Sequence, residues 1–169
     1  MIRARLLYRL SILGLFGTLA FGQPWGPGRA NGPGMGHDVE HQADMELFHY
    51  LLDNRSLIRR SVENLPEGVE TLTESDDSQV ANGIKEHVRS MYGRVKENRP
   101  IHLRDPLFQE IFNNANKIRM VLEETENGMR VRETSGDPWV AKLIQEHAKV
   151  INLFLANGRS EVGRDHALP

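Results

Sequence analysis

The feature that most constrains this chain is that it reads twice. Asp77–His87 (DSQVANGIKEH) lies on Asp137–His147 (DPWVAKLIQEH) at an offset of 60 residues, without a gap. The match extends outward. Leu47-Phe48 falls on Leu107-Phe108, Asn54 on Asn114, Ile58-Arg59 on Ile118-Arg119, Glu63 on Glu123, Gly68 on Gly128, and Ser75 on Ser135. Between Leu47 and Arg94, 14 of 48 positions are identical to their counterparts. They include turn glycines, cap aspartates and apolar positions, so what was copied is a structural unit. Two copies imply a pseudo-two-fold axis. Solenoids usually need three or more repeats, so two copies favour one body in which each half buries the other's apolar face.

Within each copy the spacing predicts helix, short strand, helix. Leu47, Leu51, Ile58, Val62 and Leu65 fit one helical stripe running from His37 to about Asn64, ended by Pro66-Glu67-Gly68. Val69–Thr73 alternates as a short strand. Asp76 or Asp77 caps a helix to about Asn98 that carries Val80, Ile84, Val88, Met91 and Val95 inward. Asp105-Pro106 restarts the cycle. Leu107, Ile111, Ile118, Val121 and Leu122 make the third helical stripe. Met129–Glu133 is the second strand, and Asp137-Pro138 opens a helix with Val140, Ile144, Ile151 and Leu155 inward. The expected fold is α+β and mostly helical: two α-β-α repeats, 37–98 and 105–158, with four helices around a two-stranded antiparallel ribbon. The ribbon's open edges allow a homodimer. A polar, frayed tail is expected over 159–169.

The first 22 residues read as a signal peptide: Arg3, Arg5 and Arg9, then the apolar run Leu10–Ala20, then small residues before a cut at Gln23. The apolar run is too short to span a bilayer, so no stable membrane anchor is expected after cleavage. Periplasmic or extracellular localisation follows. Residues 23–36, rich in Gly and Pro, read as a linker. The whole chain carries −2, and the segment removed holds three arginines and no acid, leaving −5. That balance lacks the basic face a nucleic-acid partner needs. Cysteine is absent, which removes disulfides, thiolate zinc sites, iron–sulfur clusters and c-type haem attachment.

The chemistry then rests on histidine. At ~100° per residue, His87 falls between Ile84 and Met91, and His147 between Ile144 and Ile151, so both point inward. Two neutral imidazoles related by the pseudo-axis can hold a metal or take both axial positions of a b-type haem, with Met91 as a further soft ligand. Copper and b-type haem are the cofactors this donor set suits. Asn54 and Asn114 are the natural partners of those rings, either as fixed structural bonds or as groups that orient a ligand. Arg59 and Arg119 are candidates for haem propionates; the plainer reading is an ion pair with Glu63 and Glu123. His37, His41, Met45 and His49, each four residues apart, form a second possible metal series, or a solvated helix flank.

Nucleophilic catalysis finds no support. Ser75 and Asp77 sit at a helix start and His87 ~15 Å further along it, beyond triad contact. The expected function is therefore metal handling or electron transfer by a metal- or haem-binding protein. The alternative is a structural or interaction module whose duplicated histidines are core polar groups. The runs Thr73–Ala81, Arg99–Phe108 and Glu133–His147 resemble a family of small exported bacterial proteins with no settled activity. That resemblance implies export and the duplicated α-β-α architecture, and assigns no functional residue.

Overall fold

The computed structural model describes residues 34–169, so the signal-peptide segment and nearly all of the linker lie outside the described residues. Each repeat is helix, two strands, helix. α1 (Gly34–Asp53) is followed by a 3-10 turn, β1 (Arg59–Leu65), β2 (Gly68–Glu74) and α2 (Ser78–Lys96). The second copy gives α3 (Pro106–Asn113), a 3-10 turn, β3 (Arg119–Thr125), β4 (Gly128–Thr134) and α4 (Pro138–Asn157).

The expected two-stranded ribbon is thus a four-stranded antiparallel sheet in the order β1-β2-β4-β3. The correction lies at Ile58–Leu65 and Ile118–Thr125, which continue the apolar spacing of the helices before them but are extended. α1 stops at Asp53, and Asn54 donates its side-chain amide to the Tyr50 carbonyl at 2.9 Å. Asn114 does the same to Glu110 at 3.0 Å. A side chain that satisfies one of a helix's last carbonyls closes its C-terminus. These asparagines are helix ends, not partners of the histidines.

The strands alternate as half-buried strands do. Ile58, Arg60, Val62, Val69, Thr71, Thr73, Met120, Leu122, Met129, Val131 and Glu133 share one parity and face the helices. The other face carries ion pairs such as Arg130–Glu70 at 3.1 Å and Arg132–Glu67 at 2.9 Å. β2 and β4 pair in a register that sets Thr71 opposite Val131. These two are also equivalents under the duplication, so the pseudo-axis passes through that pair, at the centre of the sheet.

The repeats are interleaved. α2 packs on β4 and α4 on β2. Val80 and Ile84 meet Met129 and Val131; Val140 and Ile144 meet Val69. Each half therefore borrows its core from the other. The backbone repeats the exchange: Ser75 N–H donates to Asn127 O at 2.9 Å and Ser135 N–H to Glu67 O at 2.8 Å, tying each strand exit to the other hairpin's turn. Ser75 and Ser135 hydroxyls accept from Asp77 and Asp137, which cap α2 and α4.

The C-terminal tail is tied down, against expectation. Asp105, almost wholly buried, caps α3 and accepts from the His166 backbone at 3.2 Å, and the His166 ring lies 2.6 Å from its carboxylate and 3.1 Å from that of Glu161. Burial works against the His166 imidazolium, but its bonds to both carboxylates outweigh it and raise its pKa.

Candidate functional site

Between the inner sheet face and the helices lies a cavity of about 200 Å³, lined mainly by apolar side chains. The duplication builds its walls. Phe48 of α1 stacks on His87 of α2, ring centroids 5.8 Å apart. Their equivalents, Phe108 of α3 and His147 of α4, meet edge to face at 5.2 Å. Phe154 stands between the two pairs, 5.4 Å from Phe48 and 6.2 Å from Phe108. His87 and His147 do line one cavity, as the pseudo-axis predicts, each packed on its own repeat's phenyl ring.

Both rings are kept neutral. Burial pushes His87 down to about 4 against the opposing pull of Asp44. Burial does the same to His147, helped by the charges of Arg60 and of a protonated His87, and opposed by Asp105. Neither imidazole hydrogen-bonds a protein group among the described residues. His87 Nδ1 is fully enclosed and without a partner, which costs about 1–3 kcal/mol in desolvation that nothing in the protein recovers.

The other expected site residues divide. Met91 lines the cavity one turn beyond His87, and Met45 joins it from α1. His41 is exposed and His49 half-buried beside Phe48, while the side chain of His37 lies outside the described residues. Among the described residues of the four-residue series, His41, Met45 and His49 do not converge. Arg59 turns outward, bidentate to exposed Asp76, and Arg119 is exposed. Among the described residues, no three of His, Asp and Glu gather closely enough to hold a metal ion.

Two charged residues on the cavity floor are not among those the sequence pattern marks. Arg60, next to the arginine expected there, lines the cavity and donates through Nη1 to Ala148 O at 3.2 Å and Asn152 Oδ1 at 2.6 Å. Burial pushes it down to about 10, against the Glu133 charge. Glu133 of β4 is pushed up to about 7 by burial, with Arg60 opposing, and its carboxyl has no hydrogen-bond partner among the described residues. Strand parity would have found both, once β1 was recognised as a strand. His102, at φ 57°, packs its ring edge to face with Phe108 at 4.9 Å beside the cavity.

Neither a family model, a curated protein nor a solved structure matches this chain.

Proposed function

We propose that this protein binds a small, largely apolar ligand in the cavity between its sheet and helices, with the duplicated histidines as neutral hydrogen-bonding groups. The exported setting of that role rests on the signal-like segment. The two unpartnered imidazoles carry the reading. Polar rings that no protein group among the described residues satisfies, in a cavity lined mainly by apolar side chains, are what a ligand's polar atom would satisfy. Size sets the class: an apolar cavity of about 150 Å³ holds benzene, so 200 Å³ suits one ring with a short substituent. Neither imidazole contacts a hydroxyl nucleophile, so binding is favoured over catalysis.

The test is titration calorimetry with 2-phenylethanol. Saturable binding is expected, weakened about tenfold in His87→Phe, which keeps a stacking ring but removes the nitrogens; tenfold is the size of one lost buried hydrogen bond. If no small aromatic ligand binds, the reading fails.

A second reading is a soft metal ion, favoured by the thioethers of Met45 and Met91 in the same cavity as two neutral imidazoles. A bare Cu(I) ion fits by size. A haem, several times the area of a benzene ring, would require the helices to part. Copper uptake under reducing conditions, lost in His87→Ala and His147→Ala, would favour this reading. A chain that takes up neither copper, haem nor a small aromatic would be the structural module instead.

A further inference from the structure

We infer that the ligand of this cavity is a small apolar carboxylate, its head held between Arg60 and Glu133 and its ring among Phe48, Phe108 and Phe154. The inference rests on the cavity being a binding site, and adds the charge of what it binds.

The argument starts from where the two copies differ. Under the duplication Arg60 is equivalent to Met120 and Glu133 to Thr73. All four line the cavity. Had the polar pair been a requirement of the fold, both copies would need it. Each copy instead shows that its position accepts an uncharged side chain on the same strand, so the charges answer to something other than the architecture.

Arg60 is a half-buried cation. Its partners are a carbonyl and an amide oxygen, both reached by Nη1, and it makes no ion pair among the described residues. A guanidinium partly withdrawn from water in this way is matched best by a planar carboxylate, which its fork of donors can hold through two bonds. Glu133 is near enough to feel the Arg60 charge, yet the two are not bonded to each other. A ligand oxygen between them completes both. It accepts from the guanidinium, and it accepts from Glu133 while that carboxyl keeps its proton. An ammonium head would suit Glu133 but would face Arg60 in the same low-dielectric space, where like charges repel strongly. Of the other titratable groups on the cavity, Asp44 from α1 is neutralised by its ion pair with buried Arg94, and burial holds His87 from α2, His147 from α4 and His102 toward the neutral form, so Arg60 sets the sign.

Phenylacetate and 2-phenylethanol separate the inference from the reading beneath it, because they share a ring and differ in the head. The full-length mature chain should bind phenylacetate about thirtyfold more tightly than the alcohol at pH 6, the scale of a charge-assisted bond. Arg60→Met, which installs the residue of the other copy, should abolish that preference. Glu133→Thr should weaken phenylacetate at pH 6 and strengthen it at pH 8, where the ionised carboxyl would otherwise repel it. The wild-type preference alone tests the idea if a variant fails to fold. Binding of the alcohol as tight as the acid, or an Arg60→Met chain that keeps the preference, would overturn the carboxylate and leave the cavity reading intact. Binding of neither compound would overturn both.

Discussion

Gly128→Ala is expected to cost more than about 4 kcal/mol, enough to leave much of the chain unfolded at room temperature. An added Cβ would lie 2.0 Å from the Thr73 carbonyl oxygen and 2.9 Å from the Glu74 Cα. Both are backbone atoms of β2, the strand that β4 pairs with, and neither can rotate aside. The collision forces apart the one pairing that joins the two repeats, and with it the exchanged cores of α2 on β4 and α4 on β2. Gly68 meets the mirror constraint, with Glu133 O at 2.0 Å, and adds a φ of +155° that side chains rarely adopt. Gly93→Ala is the control. It lies inside α2 with nothing within 4 Å of the new carbon, and should stabilise by about 0.5–1 kcal/mol through helix propensity. Urea unfolding followed by far-ultraviolet circular dichroism measures all three. A Gly128→Ala chain within about 1 kcal/mol of wild type would show that β2 and β4 are not paired in this register.

The same glycines show how far the sequence could be read. The offset of 60 marked Gly68 and Gly128 as equivalent, and it also marked the serines, cap aspartates and core valines whose roles proved structural. It brought out the histidines because their helical spacing turns both inward. What it hid was β1 and β3. Leu47, Leu51, Ile58 and Val62 are spaced by four, seven and four residues; a spacing of four suits a helix and also keeps strand parity. No glycine or proline lies between Asp53 and Ile58 to mark the stop, which is made by an asparagine side chain turning back on its own helix. With the strand read as helix, Arg60 has no parity to mark it, and the duplication points instead to its neighbour Arg59 as a candidate for a haem propionate. Glu133, at the end of a strand that was recognised, drew no notice because a carboxyl at a strand end is usually solvated. Only the sheet order, which sets β4 at the centre, encloses it.

That enclosure makes stability depend on acid in a direction that can be stated. Between pH 6.5 and 4.5 the wild-type chain should lose about 3 kcal/mol. The unfolded chain protonates His87 and His147 as pH falls through 6.5, while in the fold both stay neutral down to about 4. The unfolded state thus gains two protons that the native state does not. Glu133 works the other way. Its folded value of about 7 lies above its unfolded 4.5, so its contribution is greatest below 4.5 and is lost as pH rises through 7. Across the window the native state holds that one extra proton. The unfolded chain is ahead by one, and one proton over two pH units is worth about 1.4 kcal/mol per unit. His102, which burial lowers, adds to the same loss, while His166, raised above 6.5, changes little across the window. The variants then separate the contributions. Glu133→Thr removes the opposing proton and should about double the slope. His87→Phe with His147→Phe leaves Glu133 opposed only by the smaller shift of His102 and should flatten the slope or reverse it. Urea midpoints at pH 4.5, 5.5 and 6.5 decide between these slopes. A flat wild-type profile that the double phenylalanine variant leaves unchanged would mean that water reaches both rings, and a cavity open to water would no longer explain why the His87 nitrogen is unpartnered.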